Sequence, residues 1–100
     1  GESKVASVRL KNVLTNETSS LTCDGVFIYV GMNPLTNAFH SSGLTNTEGW
    51  LPTNEYMHTS IPGVFAAGDC RDKKLRQVVT ATGDGSLAAQ MVQHYIESLT

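Results

Sequence analysis

A chain of 100 residues with formal charge −2, 40% apolar and 16% charged residues has the composition of a small soluble protein. It is long enough for a modest core, since a chain of this size hides roughly 60 to 70% of its unfolded surface on folding. The slight acidity argues against nucleic-acid and membrane-surface partners, which are drawn by a basic field. No apolar run approaches the roughly 20 residues that cross a bilayer, and no secretory signal opens the chain. The expected location is cytoplasmic, and an opening Gly1 in place of Met suggests a tag scar or an excised piece.

Ala6, Val8 and Leu10 alternate with Ser7, Arg9 and Lys11, which predicts a strand over 4–11 with one buried face. The polar run from Thr15 to Ser20 predicts a turn, and the strand that returns from it is expected from Leu21 to Val30, kinked at Asp24-Gly25. Five apolar residues in a row, Val26 to Val30, predict a strand covered on both faces. Gly31-Met32-Asn33-Pro34 ends it, because Pro34 cannot donate to a ladder. Residues 35–61 have a weak pattern and are expected to wrap a scaffold, with a short strand at Trp50-Leu51. Ile61-Pro62-Gly63 predicts a turn and Val64 to Ala67 a short buried strand that stops at Gly68-Asp69. From Arg76 to Leu99 a helix is predicted, with Ala88, Met91, Val92, Tyr95 and Leu99 on one face. The small residues Thr80 to Gly85 lie early in that helix. Glycines there cost roughly 1 kcal/mol each relative to Ala, so something is expected to approach the backbone closely.

Cys23 and Cys70 lie outside any metal-ligand or C-x-x-C spacing, and His40, His58 and His94 are scattered, so no metal site is assigned and both thiols are expected to be buried and free. The basic cluster of Arg71, Lys73, Lys74 and Arg76 is interleaved with Asp69 and Asp72 and is expected to be a solvated loop. A strand that delivers Gly68 and Asp69 to the carboxyl end of a sheet puts them where open α/β sheets bind ligands. Gly68 would give clearance to a ligand, Asp69 would accept from hydroxyls, and a helix beginning near Gln77 would offer first-turn N–H groups to negative charge. The bland alternative stays open, because an Asp after a strand also serves as a cap or turn residue.

The stretch "TSIPGVFAAGDCRDKKLRQVVTATGDGSLAA", Thr59 to Ala89, resembles the C-terminal FAD-binding signature of low-molecular-weight thioredoxin reductases, which are flavin-dependent pyridine nucleotide-disulfide oxidoreductases. "CDGVFIYVGMNPLT", Cys23 to Thr36, is similar to the segment where that family's chain leaves its NADPH domain and returns to its FAD domain. "GVFAAGD" alone is shared with other flavin-dependent disulfide reductases, and the Arg76-Gln77-Val78 continuation favours the thioredoxin reductase branch. The resemblance implies an α/β fold that is the C-terminal portion of a Rossmann-like FAD/NAD(P)-binding domain, truncated, with short strands and a long C-terminal helix. Residues 1–33 would be the closing β-hairpin from the end of the NADPH domain, and 34–100 the C-terminal part of the FAD-binding domain.

Carried over by resemblance, the FAD contacts would be Gly68, Asp69, Arg76, Gln77 and Val78. Asp69 would accept from ribityl or pyrophosphate-side hydroxyls, and the N–H groups of Gln77 and Val78 would stabilise charge at the pyrimidine edge of the flavin. In the parent enzyme NADPH would be the reductant and thioredoxin the partner. The chain carries no G-x-G-x-x-G turn and no C-x-x-C, so no catalytic residue is assigned to it. By itself it is expected to be inactive and to bind FAD weakly or not at all, waiting on the missing N-terminal FAD/NADPH-domain portion. Strands without sheet neighbours leave unpaired edges, which predicts a homodimer or strand-exchanged oligomer. Two other readings stand beside this one: a stand-alone binding or interaction module with a degenerate FAD fold, and one subunit of a split flavin disulfide reductase.

Overall fold

A computed structural model describes residues 2–100, and the chain divides into two compact units, Gly1–Gly31 and Met32–Thr100. In the first unit, β1 (Ser7–Lys11) and β2 (Thr18–Thr22) form an antiparallel sheet that sets Val8 opposite Leu21 and Leu10 opposite Ser19. The return strand thus begins in polar Thr18-Ser19-Ser20, ahead of the apolar run. Asn12 is the local cause. Its N–H donates to the Glu17 carbonyl at 2.9 Å, and its Oδ1 accepts from the N–H groups of Leu14 and Thr15. Asn16, at φ 62°, takes the left-handed conformation that Asn tolerates best after Gly. Loop geometry therefore sets the register before hydrophobicity can.

Val26 to Val30 departs from its expectation. The run has no regular secondary structure, and Phe27, Tyr29 and Val30 are 88%, 91% and 89% exposed. A strand buried on both faces needs layers on both sides, and the described residues supply neither. Cys23 and Cys70 are free but half-buried, short of the full burial expected.

The second unit reverses the expectation for residues 35–61. This stretch supplies most of the core: Thr36, Leu44, Leu51 and Met57 are buried, and Leu44 and Leu51 cluster with Ala66, with Ile61 and Cys70 packed against them. Its buried positions sit on turns, so no helical or strand period is visible. Asparagines replace a ladder here. Asn46 Oδ1 accepts from the N–H groups of Glu48 and Trp50, and Asn54 Oδ1 from those of Tyr56 and His58, each closing a loop from its own side chain. A 3₁₀ helix over Asn37–Ser42 precedes them. The strands expected at Trp50-Leu51 and Val64–Ala67 shrink to single bridges, Leu51 with Arg71 and Phe65 with His58.

The turn at Ile61-Pro62-Gly63 forms as expected, with the Val64 N–H donating to the Ile61 carbonyl at 3.0 Å. Helix α1 (Val78–Ser98) follows and lies antiparallel to residues 63–68. Tyr95 packs edge-on to Phe65 and against Gly63, and one end of the contact is reached where Ala81 and Asp84 meet Gly68. Ala88 is buried and Met91, Val92 and Tyr95 are half-buried, whereas Leu99, beyond the last turn, is 68% exposed. At Gly83 and Gly85 nothing among the described residues lies within 4 Å of where a Cβ would stand, so the close approach expected there is not made within this chain. No described helix is long and apolar enough to cross a membrane.

Candidate functional site

The apolar segment that carries Ala66 ends in a tight turn of 3₁₀ form over Gly68–Cys70. Gly68 is buried at φ 83°, a conformation that costs an L-residue roughly 1–2 kcal/mol. A Cβ placed there would meet the Ala81 methyl at 3.6 Å, so helix α1 is what Gly68 faces in this chain. The turn closes when the Arg71 N–H donates to the Gly68 carbonyl at 3.2 Å. Asp69, at its crest, is exposed.

Beneath the turn sits a side chain that the sequence reading passed over. Asp84, on the second turn of α1, accepts on a single oxygen, Oδ2, from the Gly68 N–H at 3.0 Å, Arg71 Nη1 at 2.8 Å and Lys73 Nζ at 2.9 Å. Arg71 also donates from Nε to Thr53 Oγ1 at 2.7 Å. Burial pushes the Asp84 carboxyl up, but the hydrogen bonds from Arg71, Lys73 and Gly68 outweigh it and hold the pKa at about 2. The cations of the basic cluster are therefore largely committed: the Arg71 and Lys73 side chains keep only 12% and 13% of their exposure. Arg71 and Lys73 thus depart from the solvated loop expected there and tie it to the helix, while Asp69, Asp72 and Lys74 are exposed as expected.

Arg76 is committed too. Its guanidinium lies 3.5 Å over the Trp50 ring, its Nε donates to the Asp69 carbonyl at 3.1 Å, and Nη2 donates to the Arg71 carbonyl at 3.0 Å. Stacking on an aromatic face and satisfying two backbone carbonyls uses the planar fork of arginine in a way that lysine cannot copy. Next in the chain, Gln77 is the extended residue before α1, at φ −148° and ψ 155°, and its N–H already donates to Thr80 Oγ1 at 3.2 Å. Val78 opens the helix and is 84% exposed, and its first-turn N–H has no carbonyl one turn back to receive it. Of the five residues singled out in the sequence, the fold brings Gly68, Asp69 and Arg76 into one hydrogen-bonded group, and Gln77 and Val78 follow at the helix start beside it.

Asp69 and Arg76 open on a cleft of about 290 Å³ that Met32, Asn33, Pro34, Leu35, Trp50 and Cys70 complete. A wider depression of about 530 Å³ shares Asn33 and Pro34 and is otherwise lined by Asn37, His40 and the residues from Thr45 to Gly49. The smaller cleft is the better candidate, because an acid, Asp69, and the stacked pair of Arg76 and Trp50 all line it. Trp50 came from the stretch that has no period, so no pattern pointed to it. Asp84 did leave a signal: Ala81, Asp84, Ala88 and Tyr95 follow one helical face, and an acid on that face needs a buried cation.

A family model described as pyridine nucleotide-disulphide oxidoreductase matches residues 1–85. Among curated proteins the chain is similar to the thioredoxin reductase of Bacillus subtilis, at 57% identity over 96% of this chain and 30% of that protein. It is also similar to the thioredoxin reductase of Treponema pallidum, at 50% identity over 99% of this chain and 32% of that protein. Among solved structures, the thioredoxin reductase of Streptococcus pyogenes superposes with a TM-score of 0.80 at 50% identity, over 98% of this chain and 32% of that one. Two strands followed by a long C-terminal helix thus correspond to part of an α/β thioredoxin reductase fold, and the chain spans about 30% of the length of the curated relatives it matches. With the model matched over 85 residues and relatives at this level of identity, the chain belongs to the pyridine nucleotide-disulphide oxidoreductase family.

Proposed function

We propose that this chain is the C-terminal segment of a thioredoxin reductase-like flavoprotein, in which residues 1–33 close an NADPH domain and 34–100 form the distal part of an FAD domain. The reaction of the whole enzyme is reduction of a thioredoxin disulfide to two thiols, with NADPH and a proton consumed and NADP⁺ released. FAD, when bound, supplies the electron-transfer chemistry between the two; the residues described above bind and orient it. The observation that carries this reading is exposed Asp69, whose backbone carbonyl Arg76 holds, lining the cleft with Arg76 a few residues before the open N-terminus of α1.

The donor set fits a cofactor of that kind. Asp69 accepts from hydroxyl groups, and a hydrogen bond to a charged acceptor contributes roughly 1.5–3 kcal/mol. The Val78 N–H and the positive end of α1 favour an electron-rich edge by about 0.3–2 kcal/mol. Arg76, held on Trp50, fixes the spacing between the crest of the turn and the helix start. The chain has no turn for the cofactor's pyrophosphate, so it depends on the remainder of the fold for affinity.

Visible absorption after incubation with FAD and gel filtration tests the reading. The chain alone is expected to emerge colourless, and the chain co-purified with the N-terminal two thirds of the Bacillus subtilis relative is expected to retain flavin. Asp69→Ala in that complex weakens flavin retention at least tenfold. A complex that holds one flavin per chain equally well with Asp69→Ala overturns the assignment.

A further inference from the structure

Gly68 supplies the N–H, Asp84 the acceptor, and Arg71 and Lys73 the charge that keeps the acceptor ionised. The same turn is fixed at its other side by Arg76, which holds the carbonyls of Asp69 and Arg71. Between these two clamps Asp69 is exposed at the crest. Gly68 at φ 83° has no side chain to lock it, so its orientation depends on what its N–H and carbonyl meet. Arg71 and Lys73, two and four residues after Asp69 in the same loop, are held on Asp84 instead of on Asp69.

From this we infer that Asp84 is a positioning residue: by holding the Gly68 N–H and confining Arg71 and Lys73, it aims the Asp69 carboxylate into the cleft and keeps those two cations off it. The inference rests on the cleft being the cofactor site proposed above. It goes further in giving a helix residue that does not line the cleft control over how the cleft presents its acceptor.

Two readouts test it, one of which needs no flavin. Amide hydrogen exchange of the chain carrying Asp84→Ala is expected to be at least tenfold faster at Gly68 and Asp69, with the amides from Ala88 to Tyr95 unchanged. In the complex with the N-terminal two thirds of the Bacillus subtilis relative, the same variant is expected to weaken flavin retention at least fivefold. Should Asp84→Ala fail to fold, Asp84→Asn, which keeps the volume and an acceptor for Gly68, is expected to speed Gly68 exchange about threefold and to weaken retention in proportion. Unchanged protection at Gly68 overturns the inference. So does faster exchange with unchanged flavin retention: if Asp69→Ala still weakens retention the tether is at fault, and if Asp69→Ala has no effect either, the reading of the cleft is.

Discussion

Asp84 concentrates three donors on one carboxylate oxygen, and its titration couples directly to folding. With a folded pKa of about 2 against roughly 3.9 unfolded, the group favours the folded state at all pH values above the unfolded one. That contribution is lost as pH falls from about 4 to about 2, because the unfolded chain takes up the proton first. It is on the order of 1–2 kcal/mol, smaller than the full shift implies, because the Asp84 side chain keeps 14% of its exposure and is partly screened. Urea midpoints measured from pH 7 down to pH 2 are expected to fall across that window, and Asp84→Asn is expected to flatten the fall while lowering the midpoint at pH 7. A wild-type slope that the substitution leaves intact would assign the acid sensitivity to another carboxylate.

At the scale of elements, α1 combines a legible face with an illegible one. Ala88, Met91, Val92 and Tyr95 announced the packed side by their spacing: Ala88 is buried, Met91 and Val92 are half-buried, and Tyr95 packs against Phe65 and Gly63. The other side carries Gly83 and Gly85, where a Cβ meets open space. In this chain those glycines only cost helix stability, so Gly83→Ala and Gly85→Ala are each expected to stabilise it by roughly 0.5–1 kcal/mol, seen as a higher melting temperature by circular dichroism at 222 nm. A loss of stability would mean that the helix is contacted on that side after all. The hairpin gives the opposite lesson: β2 begins at Thr18 because Asn12 closes the loop, a side-chain device that no apolar count detects.

For the molecule as a whole, the balance of exposed apolar surface matters most. Phe27, Ile28, Tyr29 and Val30 are each more than four-fifths exposed, and an extended apolar run without a partner strand invites pairing with another chain. Light scattering over a concentration series is expected to show self-association, which the pair of substitutions Phe27→Lys and Tyr29→Lys suppresses. A monomer at the highest concentration, or association indifferent to those lysines, would place the contact elsewhere. The same run explains why a strand was legible there and yet is not formed: hydrophobicity states what a segment needs, while a ladder requires neighbours that lie close in space.

The sequence by itself determined the family resemblance, the long amphipathic helix, the turn at Ile61-Pro62-Gly63 and the grouping around Gly68-Asp69, because each rests on contiguous residues or a fixed period. Only the tertiary structure decided that residues 35–61 hold the core, that Trp50 underlies Arg76, and that Asp84 gathers Gly68, Arg71 and Lys73. Those contacts join residues between 11 and 26 positions apart or sit on turns closed by asparagine side chains, and neither kind leaves a periodic trace. Charge explains the largest difference: along the chain Arg71 and Lys73 read as solvent-facing, and it takes a helix folded back across the turn to bring them the carboxylate that allows their burial.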